Sequence, residues 1–301
     1  MEETPADEFV RVRYELPRPD VARIVLGRPE AANAQDYRLL WELTKAFDIA
    51  AADNQVRVVI LAADGRHFSS GHDTSGPPSG DNELPVFGTA SDFAAPGAAG
   101  YMTWEREAYL GFCRRWRDSP KVTIAQVQGK VIAGGLMLIW PMDLVVCSEE
   151  ATFADPVVAL GYNGVEYFAH VHELGVRRAK DLLFTGRPMT AAEALQIGLV
   201  ARVVSRDRLA AETLDLAAQI AQRPAFALEM AKRAANFAQD SMGLQQTLDG
   251  TFAMHHILHS HWNRLYGEHT PPGAIDALRE VLKQKPLERG GYLAREDEGT
   301  P

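Results

Sequence analysis

Cysteine is almost absent from this chain: Cys113 and Cys147 are the only two thiols in 301 residues. Two cysteines cannot build the disulfide framework of a small secreted domain, and a reducing cytoplasm is the expected setting. No stretch of about 18 consecutive apolar residues occurs, so no membrane span is expected. The opening residues from Met1 to Glu8 are acidic and lack an apolar core, so no secretory signal is expected. Positive charge is in deficit, with 31 Lys and Arg against 40 Asp and Glu and a formal charge of -9. That balance argues against a general nucleic-acid or anionic-membrane surface, while leaving room for a local basic pocket for a phosphorylated ligand. There is no G-x-S-x-G elbow, no phosphate loop and no Gly-rich nucleotide fingerprint, which sets aside serine hydrolases, P-loop enzymes and Rossmann dehydrogenases.

What is present is a globular composition, 46% hydrophobic and 24% charged, with alternating β and α texture. Residues 9–15 and 21–26 alternate and read as a hairpin around Pro17 to Asp20. Helical spacing over 36–52 puts Leu39, Leu40, Leu43 and Phe47 on one face. A strand is predicted at 57–62 and a helix at 102–118, ending before Ser119-Pro120. Strand, turn and helix follow as far as Pro141, which should stop or kink the helix. Short strands near 143–147 and 151–154 precede helices near 157–161 and 166–183. Residues 74–100 are rich in Gly, Pro, Ser and Asp and lack periodicity, and a loop that long points to a lid or a partly disordered segment. Beyond 206 the periodicity is helical, so residues 1–205 read as a core and 206–301 as a helical C-terminal subdomain.

Two turns carry the chemistry. The apolar run from Val122 to Val127 ends at Gly129, and a small-residue turn at Ala133-Gly134-Gly135 opens a helix. Unpaired N–H groups there, with no side chain at the glycines, suit an oxygen that gains negative charge, although tight packing of a helix on a strand explains the glycine pair equally when this turn is taken alone. The buried strand Val58 to Ala63 and the turn Asp64-Gly65 lead to His67-Phe68-Ser69-Ser70-Gly71-His72-Asp73, a second small-residue strand end. Donors from two separate loops can grip one oxygen from two directions.

These segments resemble the enoyl-CoA hydratase/isomerase (crotonase) superfamily. Arg28-Pro29-Glu30-Ala31-Ala32-Asn33-Ala34 is similar to its opening motif, and 56–73 and 129–143 to its two oxyanion-hole stretches. Ala151 to Pro156, Leu183 to Gly186 and Ala191 to Val200 continue in the family's order. The resemblance implies an α/β spiral of ββα units with a helical C-terminal region used in trimer assembly, giving a homotrimer or dimer of trimers. It implies an acyl-CoA thioester substrate, CoA entering only as part of that substrate, with no cofactor or metal. The thioester oxygen would sit between the N–H groups of His72 and Gly134, the His72 imidazole serving as pocket wall. Substrate would meet Ala31, Asn33, Ser70, Gly71, Asp73, Gly135, Met137, Val157 and Tyr162.

The chain departs from hydratases of the family at the acids. Their two glutamates would fall at Met137 and Val157, and neither side chain can carry a proton. Glu166, nine residues after Val157, stands where isomerase, dehalogenase and carbon–carbon hydrolase members carry an acid. Read as the opening of the next helix, in an apolar pocket, it should have a raised pKa and act as general acid or base. Asp155, before Pro156, reads as a turn or cap residue. Glu105 or Glu107 can supply a second acid, although a solvated charged face explains that helix about as well. His255 and His259 have i, i+4 spacing, but without a carboxylate in a zinc-protease pattern, His255, His256, His259 and His261 read as a polar helix face or subunit contact. The expected function is chemistry through an enolate, such as isomerisation, in preference to two-glutamate hydration. A diketone carbon–carbon hydrolase and a silent acyl-CoA binder stay open.

Overall fold

The structure, a computed structural model, describes residues 9–74, 93 and 95–286. β1 (Val12–Arg18) and β2 (Val21–Leu26) form the expected hairpin, turning at Pro19-Asp20. β3 (Val58–Ala63), β4 (Val122–Val127), β6 (Leu144–Ser148) and β9 (Arg202–Val204) continue it as a parallel sheet in the order β1-β2-β3-β4-β6-β9. A smaller sheet holds β5 (Lys130–Ile132), β7 (Thr152–Ala154) and β8 (Met189–Thr190). The chain alternates between the two sheets, leaving helices outside, and this is the expected spiral of ββα units.

The helices are α1 (Tyr37–Ala52), α2 (Ala98–Glu105), α3 (Phe112–Arg117), α4 (Gly134–Ile139), α5 (His170–Leu174), α6 (Val176–Thr185), α7 (Ala191–Gln196), α8 (Leu209–Ala221), α9 (Ala225–Ser241), α10 (Leu244–Tyr266) and α11 (Ala274–Leu282). α1 starts where the Asp36 side chain accepts from Leu39 N–H at 2.8 Å, and buries Leu39, Leu40, Leu43 and Phe47. They pack with Val59, Leu61 and Trp116 on one face of the large sheet. On the other face Val58 and Ile60 meet Leu216 and Ala217 of α8. A strand covered on both faces needs apolar residues at every position, hence the unbroken run Val58 to Ala62.

Three expectations change. The helix expected at 102–118 starts at Ala98 and widens into a π turn over Arg106–Gly111 between α2 and α3. The helix expected at 166–183 begins only at His170 and is interrupted at Gly175, whose φ is 76°. Residues 157–160 form a short 3-10 turn. Most of the lid expected at 74–100, namely residues 75–92 and 94, lies outside the described residues. The C-terminal region is helical as expected, and α11 returns over Val157–Leu160. No helix among the described residues is long and apolar enough to cross a membrane.

Candidate active site

The opening motif fixes the first turn. Asn33, fully buried at φ 52°, donates from Nδ2 to the carbonyls of Asp64 (2.9 Å) and His67 (3.0 Å) and accepts from Arg28 N–H (2.9 Å). Gln35 N–H then donates to Gly71 O (2.8 Å), and Asp73 N–H to Gln35 O (3.0 Å). In this parallel bridge the peptide groups of residues 71 and 73 face Gln35, so the N–H of His72 between them faces the opposite way. A second bridge, Ser69 with Val131, ties this turn to the one before α4.

The contact between the turns is close enough to dictate glycine. A Cβ on Gly71 would lie 2.9 Å from Ile132 O and 3.2 Å from Gly134 N. On Gly134 it would lie 2.6 Å from His72 Cε1 and 2.8 Å from Nδ1. Gln35 Nε2 donates to Gly134 O at 2.8 Å, a further tie between the segments. Among the described residues neither the His72 nor the Gly134 N–H has a hydrogen-bond partner.

Glu166 reaches the same place from a loop. Asp155, fully buried, accepts from the N–H groups of Val157 and Val165 (both 3.2 Å), and its Oδ2 lies 2.6 Å from His170 Nε2. These bonds and the extended left-handed Gly164 (φ 139°) hold 161–169 out of a helix, which corrects the reading of Glu166 as a helix-opening residue. The buried carboxylate places Oε2 3.0 Å from His72 Nε2 and Oε1 3.4 Å from His255 Nε2. The His72 ring also stacks on Tyr109 at 3.8 Å. Its imidazole is therefore the partner of Glu166 as well as a wall.

The electrostatics reverse one expectation. Burial by itself would raise the Glu166 pKa, but His72 and His255 outweigh it and hold the carboxyl below its ordinary value. Burial would lower the His72 value, yet the Glu166 carboxylate raises it. Glu166 is thus a carboxylate at neutral pH, poised to accept a proton, and not the desolvated acid expected from an apolar pocket alone.

A cavity of about 830 Å³ opens beside these groups. Of the residues expected at substrate, His72, Asp73, Val157, Tyr162 and Glu166 line it. Asn33, Gly71, Gly134, Gly135 and Met137 do not: they are buried behind the wall, Asn33 stapling loops and Gly135 admitting Ser69 O to where a Cβ would be 2.8 Å away. Ala31 is half-buried and Ser70 exposed, both outside the lining.

The surprise is a second carboxylate beside Glu166, on the same wall. Glu105 of α2 is buried and lines the cavity, whereas Glu107, also buried, does not. The Glu105 carboxylate lies 3.0 Å from His256 Nε2 and 3.4 Å from His259 Nε2. Burial would raise its pKa, but these histidines hold it well below the ordinary range. His255, His256 and His259 are buried, and only His261 of that group is exposed, so the polar-face reading is corrected for the first three. The carboxylate partner of these histidines comes from about 150 residues earlier. Its signal was the i, i+4 stripe Tyr101, Glu105, Tyr109, all three lining the cavity.

A family model described as enoyl-CoA hydratase/isomerase matches residues 18–84 and 86–269. A Mycobacterium tuberculosis protein bearing the name enoyl-CoA hydratase EchA13 is 38% identical over 298 residues, covering 93% of each chain. The crystal structure of a probable enoyl-CoA hydratase from Mycobacterium smegmatis is 44% identical with a TM-score of 0.79, covering 87% of this chain and 100% of that one. A monofunctional enoyl-CoA isomerase from M. smegmatis is 28% identical with a TM-score of 0.61, covering 76% of this chain and 94% of that one.

Proposed function

The chain belongs to the enoyl-CoA hydratase/isomerase family, and on that footing we propose that it acts on an acyl-CoA thioester through an enolate, with Glu166 as the base. The observation that carries this reading is the pairing of buried Glu166 with His72, the residue whose own N–H is unpaired beside Gly134. Substrate binds with its carbonyl oxygen between the two N–H groups. The Glu166 carboxylate removes a proton from the carbon beside the thioester, and the electron pair passes to that oxygen, where the donors hold it. Preorganised donors of this kind contribute about 10²–10³ in rate each. The proton on Glu166 returns to a different carbon, moving the double bond with no net gain of atoms. His72 keeps the carboxylate aligned throughout.

Isomerisation is favoured over two-glutamate hydration because Met137 and Val157 stand where the resemblance puts hydratase glutamates. Arg11, Arg28 and Arg38 line the same cavity and suit the phosphates of CoA. Exposed Phe226, Phe237, Met242, Met254 and Ile257 on α9, α10 and the turn between them support a homotrimer or dimer of trimers. The Glu166–His72 pair also fits activation of water against a diketone, a reaction that needs no CoA; measuring CoA-ester binding separates the two.

The direct test is solvent deuterium exchange at the α-carbon of a saturated acyl-CoA, followed by NMR. Glu166→Gln keeps the shape and removes the base, and the expected loss is about 10²–10⁴. Exchange in that variant within threefold of wild type rejects Glu166 as the base.

A further inference from the structure

We propose that Glu105, His255 and His259 form a binding site for one divalent transition-metal ion of the zinc class. Carboxylate and imidazole ligand atoms of these three buried residues all lie within 4.8 Å of one another. The proposal is independent of whether Glu166 acts as a base.

The outer hydrogen bonds set both imidazoles for ligation. His255 Nδ1 lies 3.0 Å from the Gly164 carbonyl, which can only accept, so this nitrogen carries a proton, and in the neutral ring that binds a metal Nε2 holds the lone pair. Tyr162 O–H donates to His269 O at 2.5 Å, so its oxygen is left to accept from His259 Nδ1 at 3.0 Å. In the neutral ring His259 Nε2 then holds the lone pair, and among the described residues this buried atom has no hydrogen-bond partner. A histidine whose outer nitrogen donates to a fixed acceptor is the usual metal-ligand arrangement.

One ligand pair already stands at the spacing an ion needs, and the third ligand atom lies within 4.8 Å of both. His259 Nε2 is 3.4 Å from Glu105 Oε1. Two ligands about 2.0–2.1 Å from a tetrahedral ion are about 3.3–3.4 Å apart. Glu166 already faces His72, and a dication would offset the buried Glu105 charge beside it. His256 Nε2, 3.0 Å from Glu105 Oε2, stands on the carboxylate's other oxygen as an outer neighbour. Two histidines and one carboxylate leave a fourth position for water or a ligand, and all three residues line the cavity.

Tag-free protein, stripped with a chelator, is titrated with Zn²⁺ by calorimetry and loaded with Co²⁺ for visible absorption. The expected result is one ion per chain, a raised Tm and Co²⁺ bands of a histidine-ligated, low-coordination site. Glu105→Gln and His259→Ala should each weaken Zn²⁺ binding at least 100-fold, and Tyr162→Phe, which removes the outer acceptor, by about 10–100-fold. His261→Ala, an exposed histidine of the same helix, should bind as wild type. Stripped wild type that takes up no ion overturns the proposal, as does binding unchanged in Glu105→Gln and His259→Ala. If the variants do not fold, the wild-type Co²⁺ spectrum decides: absence of those bands overturns the site.

Discussion

Replacing Gly134 by alanine tests the join between the two turns. The new methyl carbon would sit 2.6 Å from His72 Cε1, 2.8 Å from Nδ1 and 3.1 Å from Gln35 Oε1. Carbon atoms prefer about 3.5–4.0 Å, so the overlap with the ring is about 1 Å. The ring cannot simply retreat, because it is stacked on Tyr109 at 3.8 Å and held by Glu166 at 3.0 Å. It must rotate out of that contact, or the turn must move and carry the Gly134 N–H with it. Overpacking of this sort costs about 1–3 kcal/mol. At roughly 2–4 °C per kcal/mol for a chain of this size, Tm should fall by several degrees while the fold survives. Misplacing one donor and the partner of the base should lower α-proton exchange by about 10²–10³. Exchange by NMR, with Tm from calorimetry and CoA-ester affinity measured on the same sample, separates the effects. A folded Gly134→Ala protein that exchanges within threefold of wild type would refute the reasoning.

Three further outcomes follow from other parts of the structure. Ala133 holds φ 49° and ψ -116°, a region suited to glycine, so Ala133→Gly should stabilise by about 1 kcal/mol, read as a higher Tm. Asn33→Ala removes three buried hydrogen bonds at φ 52° and should cost about 2–4 kcal/mol by urea denaturation, with exchange activity falling as the first turn loosens. The half-buried Glu173 carboxyl is raised by burial and accepts from Gln239 Nε2 at 3.1 Å. The folded state therefore holds this proton more tightly than the unfolded one, and stability falls as pH rises from the ordinary glutamate value through the raised one. Glu173→Gln should remove that part of the pH dependence and raise Tm slightly at pH 7, while Tm curves that stay parallel across pH would contradict it.

Local pattern made much of the fold legible. Leu39, Leu40, Leu43 and Phe47 recur at helical spacing because α1 buries one face, and Val58 to Ala62 is uniformly apolar because the sheet is covered twice. The two glycine turns were readable because a close backbone approach tolerates no side chain at Gly71 or Gly134. The loop carrying Glu166 was not, since what prevents a helix there is Asp155, bonding forward to Val165 and His170. The His255–His259 cluster is illegible in the sequence for a similar reason. Its carboxylate lies on α2, and only the folded chain brings 105 beside 259. The sign of the Glu166 shift depends on His72, 94 residues away, against which local apolarity says nothing.

The central claim is tested most directly by a crystal structure with a non-reactive acyl-CoA thioether or saturated acyl-CoA bound in the 830 Å³ cavity. The account predicts the acyl oxygen of the saturated ester about 2.7–3.1 Å from the nitrogens of both His72 and Gly134, with its α-carbon against the Glu166 carboxylate. An acyl oxygen held by any other pair of groups, or an α-carbon facing away from Glu166, would contradict it.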